Sequence, residues 1–215
     1  MRARSLLVTT AVAACGILAY RRVARPWMAT WGATDAEIDA RLPGDELLGT
    51  GATRMTRAIT IAAPVEDVWR WLVQIGEDRA GFYSYAWLER LALTDMHNAD
   101  RIVPEWQHRA RGDTIWLAQR YGDRGRQVAA VLEPPRALVM VGPRDFDVID
   151  SGGRAGGSWV FFLEPIDDTQ TRLIVRSSGG PVGTPLFDVI HFVMEQKMMR
   201  GIKERAERAS HHAER

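Results

Sequence analysis

The stretch that decides the fold is Met55–Ile75, MTRAITIAAPVEDVWRWLVQI. In its first half Thr56, Ala58 and Thr60 alternate with Arg57, Ile59 and Ile61, the period-two pattern of a strand with one dry face. Pro64 then presets φ at a first-turn helical position, and Glu66 and Asp67 put negative charge at a helix N-terminus. Val68, Trp69, Leu72, Val73 and Ile75 follow at helical spacing. A strand therefore hands directly to an amphipathic helix.

Downstream, Ser84–Ala92 predicts a second short helix, and Met96–Gln107 (MHNADRIVPEWQ) is a long loop of the kind that covers or binds something. From Gly112 the pattern turns to strands at Thr114–Ala118, Arg126–Glu133, Ala137–Val141, Ser158–Glu164 and Thr171–Ser177. Their separators, RYGDRG, EPPR, RDFDVIDSGGRAGG and PIDDTQ, are rich in turn residues and short, which predicts an antiparallel meander. Gly152–Gly157 lacks the helix and lysine of a phosphate loop and reads as a flexible hairpin tip. Trp159 and Phe161 alternate with Val160 and Phe162, so that strand is apolar on both faces and needs cover on both. Pro185 opens a helix to about Ala209, in which Leu186, Phe187, Ile190, Val193, Met194 and Met198 share one broad face with Gly201. Lys197 falls in the same apolar arc.

Upstream, Ser5–Tyr20 carries no charge and lies between Arg2, Arg4 and Arg21, Arg22. Residues 1–24 are expected to be a single N-terminal membrane anchor or uncleaved signal, making the protein membrane-associated on an undetermined side. Val12–Cys15 resembles a lipoprotein cleavage box, but the residues after it stay apolar. Residues 25–53 read as a linker with a short helix capped by Thr34 or Asp35. Trp27 and Trp31 within it suit a membrane interface or packing on the domain equally. The domain proper spans 54–210.

Composition removes several classes. Lys plus Arg total 28 against 27 Asp plus Glu, with no basic block, so no nucleic-acid partner is expected. Cys15 is the only cysteine, which excludes a disulfide framework and a Cys-based zinc site. There is no GxSxG. No cofactor and no metal site are expected, because His97, Asp100 and Glu105 lack metal-ligand spacing. A monomer is expected.

These elements predict an α+β fold in which a curved antiparallel sheet of about six strands wraps a long C-terminal helix, with two short helices after the first strand. A gap between such a sheet and helix is a ligand site. APVEDVW, TRLIVR and FVMEQKMMRGIKERAE resemble the START-like helix-grip superfamily, SRPBCC, which includes polyketide cyclase/dehydrase-like and lipid-transfer proteins. RPWMATWGATDAEIDARLPGDELL, WLVQIGEDRAGFYSYAWLERL and HNADRIVPEWQ are similar to a membrane-tethered bacterial group of that superfamily. The resemblance implies a hydrophobic cavity beneath the long helix and no single catalytic set.

The residues expected at the cavity are Trp69, Tyr83, Tyr85, Trp106, Trp116, Trp159, Val193, Met194, Lys197 and Met198. Arg79, with Tyr83 and Tyr85, is a candidate donor to a ligand oxygen at the mouth. His97, Asp100 and Lys197 are the candidates for chemistry. A histidine with a carboxylate suits proton transfer, a buried lysine polarises a carbonyl, and for each a structural role is the competing reading. The expected function is binding or transport of a hydrophobic small molecule, lipid or polyketide-like. The alternatives are a cyclase or dehydratase using the pocket's polar residues, and an interaction domain with a filled core.

Overall fold

The structure is a computed structural model and describes residues 15–91 and 94–213. The strands are β1 (Arg54–Ile61), β2 (Thr114–Trp116), β3 (Arg126–Glu133), β4 (Ala137–Val141), β5 (Gly157–Asp167) and β6 (Gln170–Gly179). The α-helices are α1 (Arg25–Ala29), α2 (Asp35–Asp39), α3 (Val65–Val73), α4 (Ala86–Leu91), α5 (Pro143–Asp150) and α6 (Pro185–Ala213). All six strands form one open antiparallel sheet in the order β1-β6-β5-β4-β3-β2. It is a helix-grip fold: the curved sheet wraps α6, and α3 and α4 follow β1.

Alternation along the strands sorts side chains between two covered faces. On the inner face Leu138, Met140, Phe161, Leu163, Leu173 and Val175 pack with Val68 and Leu72 of α3 and with Met198, Met199, Ile202 and Ala206 of α6. On the outer face Ala58, Val139, Val160 and Ile174 meet Leu42, and Ala130 and Val141 meet Leu48 and Ala155. β5 is thus buried on both sides, as its doubly apolar sequence requires.

Residues 33–52 form much of that outer cover, while residues 25–31 lie against α6 and the inner cluster. α2 opens with a reciprocal capping box between Thr34 and Glu37. Arg172 of β6 clamps the Glu37 carboxylate at 2.6 and 3.0 Å. Arg176, fully buried on the same strand, donates to the Ala40, Glu37 and Ile38 carbonyls and to Asp45 Oδ2 at 2.6 Å. Carbonyls left bare at the end of α2 are therefore satisfied by a guanidinium from the sheet.

Three expectations need correction or relocation. The RDFDVIDSGGRAGG segment is not a simple turn, since Pro143 starts α5 and Phe146 and Ile149 pack against the outer-face cluster around Ala130 and Val141. The glycines beyond it join α5 to β5, with Gly156 N–H donating to Asp145. The membrane anchor, membrane partner and membrane localisation are not supported, because no helix among the described residues is long and apolar enough to cross a membrane. Residues 1–14, which hold most of the uncharged run and Val12–Ala14 of the lipoprotein-like box, lie outside the described residues. The segment from Cys15 onward carries Arg21, Arg22 and Arg25 and docks on the protein: Arg25 pairs with the buried Asp188 at 2.9 Å, and Trp27 meets Phe192 of α6 edge-on at 5.1 Å. Trp31 also meets Phe192, at 6.4 Å.

Candidate functional site

The first half of α6 is where helix and sheet part. Phe187, His191, Met194, Glu195 and Met198 recur at spacings of three and four, so they share the stripe turned toward the sheet. Beneath them the register sets Trp159 of β5 opposite Ser177 of β6, and Ser177 opposite Met55 of β1. Arg57, two residues along β1, shares that face. Between helix and sheet lies a cleft of about 370 Å³, walled by Phe82, Met96, Trp159, Phe187, Ile190, Met194 and Met198. Its polar lining consists of Ser84, His191 and Glu195. The Ser84 hydroxyl already donates to the Met194 carbonyl at 3.0 Å. A second cleft of about 400 Å³, at the glycine-rich end of β5 and β6, has Leu117, Trp159, Phe187 and His191 in common with the first.

The polar end of the first cleft is a buried charge cluster. Arg57 Nη1 donates to Glu195 Oε2 at 2.5 Å, its Nε donates to the Met28 carbonyl at 2.6 Å, and both charged side chains are almost wholly excluded from water. Glu195 Oε1 accepts from Trp159 Nε1 at 2.8 Å and from the Ser177 hydroxyl at 3.4 Å. Burial pulls the Glu195 carboxyl upward, but any charge on His191, the Arg57 guanidinium with its hydrogen bond, and the Trp159 N–H together hold it below the usual carboxylate range. His191 Nδ1 lies 3.1 Å from Arg57 Nη1. A guanidinium has no lone pair to offer, so Nδ1 is the acceptor and the ring is neutral with its proton on Nε2. Burial acts in the same direction and lowers the His191 pKa, opposed by the Glu195 charge and assisted by that of Arg57. Phe187 stacks on the His191 ring at 4.9 Å and Trp159 meets it at 5.6 Å.

Three of the sequence-predicted cavity residues come together here: Trp159, Met194 and Met198. The others lie elsewhere. Trp69 and Tyr83 belong to the inner core. Tyr83 donates to the Trp71 carbonyl and accepts from Gln74, and burial raises its phenol pKa. Tyr85 packs edge-on to Trp87 near the surface. Trp106 sits at the core margin, where its carbonyl accepts from Arg79. Trp116 is half-buried on β2, and Val193 faces outward. Lys197 reaches Glu204 on its own helix at 3.8 Å, outside both clefts.

The candidates for chemistry do not converge. His97 is exposed and its Nδ1 contacts the Asp95 carbonyl at 2.9 Å, while Asp100 is exposed on the same loop. The one histidine at the cleft has its basic nitrogen occupied by Arg57, which leaves it unable to act as a general base. No group of three metal-ligating side chains occurs among the described residues.

Sequence reasoning missed Arg57, His191 and Glu195. A signal existed in the i, i+4 spacing of His191 and Glu195 on the cavity stripe, where two polar residues interrupt an apolar run.

No protein-family model matches the chain, and a search of curated proteins finds no match. Solved structures similar to it include a Polyketide_cyc-like protein from Corynebacterium glutamicum, at 16% identity and TM-score 0.32, covering 77% of this chain and 86% of that one. Another is the Aha1 dimer from Colwellia psychrerythraea, at 16% identity and TM-score 0.45, covering 72% and 96%. A structural-genomics protein from Nitrosomonas europaea is similar at 14% identity and TM-score 0.47, covering 78% and 99%. Likenesses this distant bear on the fold alone. The order of strands and the long α6 laid across them are those of a helix-grip fold.

Proposed function

We propose that this protein binds a hydrophobic small molecule in the cleft beneath the first half of α6. The observation that carries the reading is the cleft's size and lining: about 370 Å³ walled mostly by aromatic and methionine side chains, with Ser84, His191 and Glu195 as its few polar groups. Small-molecule sites have volumes of roughly 300–1,000 Å³ and this same division between an apolar body and a few placed polar atoms. Methionines at the helix wall, Met194 and Met198, adapt their shape to an occupant at little cost.

The test is native mass spectrometry of the full chain purified without detergent, followed by organic extraction and identification of whatever is retained. A stoichiometric apolar molecule is expected, and it should be lost in the Met194→Trp variant, whose larger side chain fills the cleft. Retention of the same molecule by that variant would move the site elsewhere.

A further inference from the structure

The charge pattern of the cleft narrows its occupant, and this inference rests on the proposed binding role. Among the described residues, the cations near the site are already committed. Arg57 spends its donors on Met28, Glu195, His191 and the Met55 sulfur, and Lys197 is turned to Glu204. The charged side chain in the cleft lining is Glu195, and both of its oxygens are occupied. A ligand carboxylate entering here would meet a carboxylate with no free counter-charge, in a setting where desolvation makes that repulsion costly. A ligand ammonium would meet a carboxylate whose charge Arg57 already balances and whose two oxygens already accept from Arg57, Trp159 and Ser177. One group remains under-used. The Nε2–H of the neutral His191 has only Ser177 Oγ at 3.5 Å and Glu195 Oε1 at 3.6 Å near it, both too long for a strong hydrogen bond.

We infer that the cleft selects an uncharged, flat apolar molecule bearing one oxygen acceptor, which takes its hydrogen bond from His191 Nε2–H between the Phe187 and Trp159 rings, and that it rejects carboxylates. Arg57 and Glu195 act as positioning residues that fix the tautomer and aim the donor.

The test is isothermal titration of the full chain with four naphthalenes of one skeleton: 2-acetylnaphthalene (neutral acceptor), 2-ethylnaphthalene (no acceptor), 2-naphthoate (anion) and 2-naphthylmethylammonium (cation). The ketone should bind about tenfold tighter than the hydrocarbon, the worth of one hydrogen bond, and the two ions more weakly than either. His191→Gln, which retains an N–H donor, should keep the ketone preference. His191→Phe should erase it and leave the hydrocarbon's affinity unchanged. Equal binding of ketone and hydrocarbon, or tighter binding of either ion, overturns this inference while leaving a hydrophobic-ligand site standing. Absence of binding by all four to the wild-type chain overturns both.

Discussion

Gly201 of α6 lies directly against the backbone of Tyr83: a Cβ built on it would sit 2.3 Å from the Tyr83 carbonyl oxygen and 2.7 Å from the Tyr83 Cβ. Tyr83 has a positive φ of 56° and is held by hydrogen bonds to Trp71 and Gln74 and by Arg205 stacked over its ring, so it has little room to retreat. Gly201→Ala should therefore destabilise the fold by about 1–3 kcal/mol, overpacking outweighing alanine's better helix propensity. Urea denaturation should show a lower midpoint with an unchanged slope.

The Arg57–Glu195 pair is buried at both ends, so removing one partner strands a charge. Glu195→Leu or Arg57→Met alone should each cost about 3–5 kcal/mol, whereas the double variant should recover much of that loss. A double-mutant cycle in denaturant measures the coupling. Strictly additive single losses would mean that the two charges do not depend on each other.

Acid should act on the same cluster in two stages. His191 has a lowered pKa in the folded state, so below about pH 6.5 the unfolded chain takes up a proton that the native protein refuses, and stability falls as pH falls. Glu195 is also lowered, so its stabilisation is present above about pH 4.5 and is lost as pH falls further. Melting temperature should hold from about pH 8 to 7, then decline in two steps, and His191→Gln should remove the upper step. A flat profile between about pH 7 and 5 in the wild type would contradict a buried neutral histidine.

The outer cover predicts a boundary effect. A chain beginning at residue 54 loses Leu42 from the face formed by Ala58, Val139, Val160 and Ile174, and leaves the buried Arg176 without Asp45 and three carbonyls. It should be insoluble or show the poor amide dispersion of a loosely packed state, whereas a chain beginning at residue 25 should give a dispersed spectrum.

Much of the architecture is legible because it follows local periodicity. The β5 residues Trp159–Phe162 declare an element buried on both faces, and the α6 stripe marks Met194 and Met198 although Leu186 on the same arc is exposed; the Thr56–Ile61 alternation declares a strand but suggests one dry face where Thr56 and Ala58 are buried as well. α5 is hidden because only Phe146, Val148 and Ile149 mark it, between turn-forming residues. The charge cluster is illegible for another reason: Arg57 and its partners lie 134 and 138 residues apart, and no spacing rule connects positions that only sheet register brings together. Lys197 shows the converse case. Its place in the apolar arc suggests the cavity, but a four-carbon stem carries its charge along the helix to Glu204.

The way β6 fastens residues 32–45 also dictates an order of events during synthesis. The cover leaves the ribosome early, yet its anchors, Arg172 and Arg176, are among the last sheet residues made, and β1 too waits for β6 as its strand neighbour. Until β6 emerges, β1 is an unpaired edge and the early segment has nothing to grip. Such long-range closure slows folding and lengthens exposure of apolar strands. The interval between translation of β1 and of β6 is thus the one in which apolar strand surface stays uncovered longest, and a chain stalled upstream of Arg172 would lack both the partner of β1 and the anchors of the early segment.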